Sequence, residues 1–113
     1  MHELSIATSI LKTATQEVEK LKGNKVEEIH LEIGKISGIK IPSLEFAWEQ
    51  CMKNSVLDGA KVQITEPEGF ARCAECNHEF KIAKIYDSCE RCGSPFKEII
   101  TGKEMKINKL VIS

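Results

Sequence analysis

Four cysteines stand in two pairs late in the chain, and this arrangement constrains the fold more than any other feature of the sequence. The pairs are Cys73-x2-Cys76 and Cys89-x2-Cys92, with twelve residues between them. Each pair places two thiolates on one tight turn, and two facing turns build a closed tetrahedral cage that suits Zn²⁺. The surrounding segment, 68–101, has 34 residues, fewer than the roughly 40 for which a hydrophobic core alone usually suffices. We therefore expect an inserted zinc-ribbon module whose metal supplies much of its folding free energy.

Other states of these cysteines stay open on the sequence alone. A rubredoxin-like iron site uses the same two-pair geometry, and the sequence does not exclude iron. Disulfides are disfavoured, because paired cysteines in a reducing compartment are more often metal ligands. A catalytic zinc keeps one open position, so four cysteines favour a structural zinc. His78, two residues after Cys76, is an alternative ligand, although a surface position on the hairpin suits it better.

Apolar residues at three- and four-residue spacing predict an amphipathic helix over residues 4–22, with Gly23-Asn24 as its C-terminal stop. The residues on its apolar face are Leu4, Ala7, Leu11, Ala14, Val18 and Leu21. A second helix is predicted over residues 43–54, with Ser43 as a candidate N-cap. Its core-facing residues are Leu44, Ala47, Trp48, Cys51 and Met52.

Period-two alternation predicts three strands, one over residues 25–35, one that ends at Pro67 and one over residues 103–112. Apolar residues of the last strand change parity, so a bulge is expected near Asn108-Lys109. We expect the last strand to pair with the strand before the cysteine module. The predicted fold class is α+β: a small mixed three-stranded sheet packed with two helices, plus an inserted zinc-ribbon module with four cysteine ligands.

These elements divide the chain into two predicted domains. Residues 1–67 and 102–113 form an α/β domain, and residues 68–101 form the zinc-ribbon domain. A hinge at about residues 67 and 102 and a rigid pairing of the two domains are both compatible with the sequence.

The composition indicates in which compartment the protein acts and which partners are disfavoured. Of the 113 residues, 42% are hydrophobic and 29% are charged, as in an ordinary globular protein. No run approaches the roughly 18 apolar residues of a membrane span, and the start lacks the basic and apolar regions of a signal peptide. We therefore expect a cytoplasmic protein with no membrane partner.

Nucleic-acid binding, a common role of zinc ribbons, is disfavoured by charge. Residues 68–101 carry five basic and six acidic side chains, and the whole chain has a net charge of -1. A zinc ion with four thiolates adds a further charge of about -2 to the module. A negative module is a poor reader of phosphates, so a protein-binding or purely structural role fits better.

The first three residues can chelate a metal. The His2 imidazole, the His2 backbone nitrogen and the Met1 α-amine are tied at chelating distance, and Glu3 can add a backbone nitrogen or a carboxylate. Nitrogen-rich planar chelation favours Ni²⁺ or Cu²⁺ over Zn²⁺. Metal must displace protons from groups that titrate near roughly 6.5 and 7.7–8.0, so affinity should fall steeply in acid. Most histidines at position two have no such role, so the chelate alone does not establish a site.

Nothing in the sequence predicts a catalytic site. There is no glycine-rich phosphate loop and no serine, histidine and carboxylate set at a suggestive spacing, so we predict that the protein is not an enzyme. Cys51 lies in an apolar helical context and is expected to be a buried small hydrophobic residue. His30 is expected on the exposed or half-exposed face of its strand.

Taken together, these features resemble the HypA family of nickel metallochaperones, which serve nickel insertion in [NiFe]-hydrogenase maturation. The resemblance covers essentially the whole chain. It is carried by Met1-His2-Glu3 at the start of a long helix, the two cysteine pairs, Cys92-Gly93-Ser94 and the closing Gly102-Lys103-Glu104-Met105. One departure is Glu90, where the second cysteine pair of the family often encloses a proline.

The resemblance implies two metal sites. His2 is the implied nickel ligand, with Met1 and Glu3 assisting, and Ni(II) is the transferable cargo. One structural Zn(II) per chain is implied on four ligands: Cys73, Cys76, Cys89 and Cys92.

The resemblance also implies partners. A HypB-type GTPase is expected to assist delivery to the hydrogenase large subunit, and some family members also serve urease, so the client stays open. No nucleic acid or membrane partner is expected, and the protein is expected to be a monomer or a weak homodimer. Two other functions stay open from the residues themselves: a zinc-ribbon interaction or transcription adaptor without nickel function, and a rubredoxin-like electron carrier.

Overall fold

The computed structural model describes residues 2–113, with side chains from Glu3 onward. In chain order the elements are α1 (His2–Lys20), β1 (Val26–Ile33), α2 (Ile41–Cys51), β2 (Lys61–Thr65), β3 (Gly69–Cys73), β4 (Glu79–Ile82), β5 (Lys97–Thr101) and β6 (Met105–Ile112). Two helices with two three-stranded sheets make the protein α+β, as the sequence predicts. Across this described part, neither helix is long and apolar enough to cross a membrane.

Helix α1 buries a narrow stripe of small and branched residues. The buried members are Ala7, Ile10, Ala14 and Val18. Leu4 and Leu21 were wrongly predicted to share this face: they are 40% and 65% exposed, because one lies in the first turn and the other lies beyond the last helical residue. The chain leaves the helix through a left-handed residue, Lys22, with φ of 55°.

Helix α2 begins two residues earlier than predicted, so Ser43 is not its N-cap. Lys40 occupies that position with an extended backbone, and Pro42 lies in the first turn. Proline is well suited there, because its missing N–H has no helical acceptor and its φ is already helical. Leu44 and Ala47 are buried as predicted.

Strand β1 is the middle strand of the first sheet, whose order is β2-β1-β6. The predicted pairing of the last strand with β2 was therefore wrong, since β6 pairs with β1. The physical reason is that β1 is more deeply buried than β2, so that β1 takes the middle of the sheet. β1 buries Val26, Ile29, Leu31 and Ile33, whereas β2 alternates between exposed and half-buried residues, as suits a strand at the edge of a sheet. Two consecutive exposed residues, Asn108 and Lys109, interrupt the alternation of β6, and the bulge expected there stays a prediction.

The second sheet is an antiparallel ribbon of order β4-β3-β5. β3 pairs with β4 from Gly69 opposite Ile82 to Arg72 opposite Glu79. One face covers a small core whose buried members are Ile36, Ala71, Cys73, Phe80, Ile82 and Cys89.

The chain forms two compact units, and neither is a continuous stretch. The first comprises Met1–Leu31, Ile39–Ile64 and Ile107–Ser113, and the second comprises Glu32–Gly38 and Thr65–Lys106. The domain boundaries expected from the sequence, with residues 68–101 as a separate ribbon, stay a prediction.

Within the second unit, the segment that follows β1 is tied to both ends of the ribbon. The Lys35 N–H donates to the Pro67 carbonyl oxygen at 2.9 Å, and the Ile36 N–H donates to the Gly102 carbonyl oxygen at 2.9 Å. These bonds hold the Ile36 side chain in the ribbon core. Gly34 makes the approach possible, because a Cβ at that position would overlap the Gly102 carbonyl group.

We expect Gly34→Ala to lower the free energy of unfolding by about 3 kcal/mol, because the new methyl group would force backbone away from backbone. The matched control is Gly38→Ala. Gly38 has a φ of 85°, but among the described residues nothing lies within 4 Å of the added Cβ, so only the left-handed backbone is penalised, by about 1 kcal/mol. Urea unfolding followed by circular dichroism measures both variants. Equal unfolding midpoints for the two would contradict the close packing of Gly34.

Candidate metal centre

The two cysteine pairs adopt the same local turn. The Asn77 N–H donates to the Cys73 carbonyl oxygen at 3.0 Å, and the Gly93 N–H donates to the Cys89 carbonyl oxygen at 2.8 Å. Asn77 and Gly93 each follow the second cysteine of a pair and have φ of 62° and 78°. Glycine and asparagine adopt this left-handed conformation most readily. The sequence analysis named Gly93 only as part of Cys92-Gly93-Ser94, so the turn role of both Asn77 and Gly93 was missed, although their places directly after Cys76 and Cys92 could have indicated it.

The second unit brings the four cysteine sulfurs into one cluster. The Sγ atoms of Cys73, Cys76, Cys89 and Cys92 all lie within 4.8 Å of one another. The Cys73 and Cys92 sulfurs are 3.5 Å apart, and those of Cys76 and Cys89 are 3.7 Å apart. A tetrahedral ion with Zn–S bonds of about 2.3 Å requires edges of about 3.8 Å, whereas a disulfide bond is about 2.05 Å long. The donor set therefore fits a tetrahedral thiolate-bound metal.

Backbone N–H groups point at the sulfurs of both turns. The Cys76 N–H donates to Cys73 Sγ at 3.5 Å. In the second turn, the Arg91 and Cys92 N–H groups donate to Cys89 Sγ at 3.4 and 3.5 Å. Such bonds stabilise the thiolate form, which is the form that binds metal.

The ionisation of the four cysteine thiols also favours the binding of a cation. The Cys76 N–H is the main reason that the pKa of Cys73 falls to about 7. The hydrogen bond from the Ser94 N–H favours the Cys92 thiolate and lowers its pKa. The hydrogen bond to Cys73, burial and the hydrogen bonds to the other two cysteines have the opposite effect and outweigh it, so the pKa of Cys92 is raised to about 12. Neighbouring thiols cannot all ionise while they repel one another, and a divalent metal would remove that repulsion.

His78 lies beside the cluster and not within it. Its Nε2 is 3.1 Å from the Glu90 Oε1, and its ring stacks on Phe80 with centroids 6.1 Å apart. Among the described residues, the four cysteines are the one group of three or more candidate ligands close enough to hold an ion. Glu90, the residue that departs from the family pattern, therefore contacts His78 beside the other cysteine turn. At such a partly exposed site an ion pair contributes at most about 1 kcal/mol to the free energy of unfolding.

The N-terminal residues are described only in part. Met1 and the His2 side chain lie outside the described residues, while the His2 backbone is the first residue of α1. The Glu3 side chain is half-buried, and its Oε2 accepts a hydrogen bond from the Lys40 N–H at 3.3 Å. The start of α1 therefore lies beside the start of α2, a contact that the sequence analysis missed because the two residues are 37 positions apart.

Cys51 and His30 occupy other places in the first unit. Cys51 is half-buried at the end of α2, with its Sγ 3.9 Å from the Thr8 Oγ1. His30 is half-buried on β1, where its Nε2 is 3.3 Å from the Glu28 Oε1. The prediction that His30 lies on the exposed or half-exposed face of its strand is confirmed.

Two helices on one sheet, with a cysteine ribbon that can hold a metal, define a small α+β metal-binding protein. Its sequence matches the family described as "Hydrogenase/urease nickel incorporation, metallochaperone, hypA" over residues 1–112. The chain belongs to the HypA family, so the resemblance in the sequence is confirmed. Members are maturation factors and metallochaperones, which agrees with the prediction that the protein is not an enzyme.

The relatives match along nearly their whole length. The hydrogenase maturation factor HypA of Francisella philomiragia is 36% identical over 113 residues, which are 100% of both chains. That of Parabacteroides distasonis is 38% identical over 112 residues, covering 99% of this chain and 97% of the relative. The solution structure of the Ni metallochaperone HypA from Helicobacter pylori has a TM-score of 0.71 and 28% identity, with 97% and 96% of the two chains covered. A second HypA solution structure has a TM-score of 0.73 and 29% identity, with 100% and 97% covered.

We expect Cys92→Ser to lose the metal of the cluster, because a hydroxyl replaces one of four thiolate donors. The matched control is Cys51→Ser, which changes the one cysteine outside the cluster and should keep the metal. Elemental analysis of the purified proteins measures the metal, and near-ultraviolet circular dichroism measures the packing of the ribbon. Equal metal content in the two variants would contradict a site made by the four clustered sulfurs.

Proposed function

We propose that this protein is a nickel chaperone that binds Ni(II) through its N-terminus and delivers it to [NiFe]-hydrogenase during maturation, while a structural zinc ion holds the cysteine ribbon. The observation that carries the proposal is the match to the nickel-incorporation family over residues 1–112, which includes the Met1-His2-Glu3 start. His2 is the proposed nickel ligand, with Met1 and Glu3 assisting.

The position of His2 at the start of α1 supports the nickel site. The first N–H groups of an α-helix have no acceptor within the helix, and His2 is the first residue of α1. Its backbone nitrogen can therefore bind a metal without the loss of a helical hydrogen bond. Together with the imidazole and the α-amine, this nitrogen makes a nitrogen-rich donor set, which suits Ni²⁺.

The surroundings of Glu3 supply negative charge where it is needed. Helix N-termini carry partial positive charge, which disfavours a bare cation. The Glu3 carboxylate lies at the start of α1 and accepts the N–H of Lys40, the residue that precedes α2. An anionic side chain between two helix starts would offset their partial charges, so that a cation can approach.

The cysteine cluster has the opposite character, which supports zinc as its metal. Four thiolates complete a tetrahedral shell and leave no open position, and Cys73 and Cys89 are buried at 0% and 3% exposure. A metal in such a cage exchanges slowly, as a structural ion must. Iron can occupy the same geometry, but iron bound to four sulfurs is coloured and zinc is not, so the visible spectrum distinguishes them.

The delivery step needs other proteins. A maturation factor acts with the maturation machinery, and we infer that a HypB-type GTPase and the hydrogenase large subunit are the partners. The chain has no glycine-rich phosphate loop, so the energy of nucleotide hydrolysis would come from the GTPase. The family description also includes urease, which is the second candidate client.

The proposed nickel site is tested by calorimetric titration of Ni²⁺ into zinc-loaded, untagged protein. We expect one bound Ni²⁺ for the native chain and loss of that site in His2→Ala and in a variant with one residue added before Met1, because both remove the terminal chelate. The matched control is His30→Ala, which removes a histidine from β1 and should leave nickel binding unchanged. Equal binding by all four proteins would contradict an N-terminal site.

We expect the apparent nickel affinity of the native protein to fall by roughly 100-fold or more between pH 8 and pH 6. The direction follows from competition, because protons occupy the α-amine below about 7.7–8.0 and the imidazole near 6.5, and metal binding must release them. The same titration repeated across this range, at constant ionic strength, measures the change. An affinity that does not change with pH would contradict amine and imidazole ligation.

A further inference from the structure

An open cleft lies between α2 and β2 in the first unit. Its floor is made by Leu31 and Leu44, both 1% exposed, and its walls include the half-buried Trp48, Val62 and Ile64. The cleft has a volume of about 220 Å³, whereas sites for whole small-molecule ligands measure roughly 300–1,000 Å³. A space of this size fits one or two apolar side chains better than a cofactor.

A second depression continues the cleft along the same strand. It measures about 390 Å³, and its apolar lining includes Met52, Leu57 and Ala60. Trp48 and Val62 line both depressions, so together they form one groove that follows β2. In an extended chain, successive side chains on one side are about 6.6 Å apart. This spacing is similar to the width of the Trp48 indole ring, which lines both depressions.

The strand beside this groove has a free edge. β2 is the outer strand of the order β2-β1-β6, so within residues 2–113 the backbone groups on its outer side have no neighbouring strand. In the part of the chain that the structure describes, none of the backbone hydrogen bonds outside the sheets and helices involves Lys61–Thr65. Such an edge can accept another extended chain by strand addition, and the adjacent apolar pockets can then select alternate side chains.

The rim of the groove is acidic. Glu45 and Glu49 lie one helical turn apart on α2, and Asp58 lies at the far end. Of the described residues that line the two depressions, only Lys53 is basic. Both glutamates are exposed, and among the described residues neither takes part in an ion pair. The acidic rim is therefore complementary to a basic segment.

We propose that this groove, defined by Leu44, Glu45, Trp48, Glu49 and β2, binds an extended segment of a partner protein. The segment adds a strand to the edge of β2, places apolar side chains at alternate positions into the two depressions, and carries Lys or Arg opposite the acidic rim. The site shares no residue with the proposed nickel ligands or the cysteine cluster, so it is independent of the proposed function.

The experiment uses the zinc-loaded full chain and a display library of short random peptides. Selection is made against the native protein alone, and the enriched peptides are then measured on the native protein and on the double variant Glu45→Lys/Glu49→Lys. Trp48 is the one tryptophan of the chain, so the fluorescence of the protein then reports the binding of a synthetic copy of the enriched peptide, provided that this peptide lacks tryptophan. The same peptide with alternate backbone nitrogens methylated tests strand addition, because methylation removes N–H donors and keeps the side chains.

We expect enriched peptides that alternate apolar and other residues and carry basic side chains. Their dissociation constant should rise about tenfold or more for the double variant and for the methylated peptide. The matched control is Glu19→Lys/Glu27→Lys, which makes the same change in charge at two exposed residues of the same unit away from the groove, and should bind within about twofold of the native protein.

Three results would overturn the proposal. The first is that no peptide is enriched, and the second is that enriched peptides bind the double variant or bind equally well when methylated. The third is self-association: if sedimentation shows a dimer that Glu45→Lys/Glu49→Lys dissociates and that peptides do not displace, a second copy of this chain occupies the groove.

Discussion

The convergence of four cysteine sulfurs is the constraint on which the ribbon depends. The core beneath the ribbon contains few large side chains, and two of its buried members, Cys73 and Cys89, are themselves in the cluster. A core of this size cannot offset the conformational entropy of an ordered ribbon without further help. Metal–thiolate bonds would supply that help, and the paired turns at Asn77 and Gly93 place the sulfurs for it.

The ribbon also depends on a segment that is distant from it in the sequence. Ile36, between β1 and α2, completes the ribbon core, and its backbone bonds to Gly102 at the end of the ribbon. Because Ile36 packs in the same core as Cys73 and Cys89, the packing of this segment and the order of the cysteine turns stabilise each other. Loss of the metal would therefore loosen the chain that directly follows β1.

The two proposed metal sites differ in the way that their tasks require. A cage of four thiolates, two of them buried, would retain its ion, whereas the proposed chelate of Met1, His2 and Glu3 would exchange its ligands one at a time. A cargo site needs this lability, because nickel must leave for a client protein. The groove between α2 and β2 would add a third function to the same small chain, the recognition of a partner segment.

The local features of this protein follow from the sequence because they depend on spacing. Residue spacing and turn residues, which are local features, predict the metal-binding turns, the two helices and the α+β class. The family was indicated by the Met1-His2-Glu3 start together with the two cysteine pairs. Only the tertiary structure decided that β6 pairs with β1, that Ile36 enters the ribbon core, that Glu3 meets Lys40 and that a groove forms beside Trp48. Each of these depends on a contact between residues far apart in the chain, for which local hydrophobic periodicity holds no information.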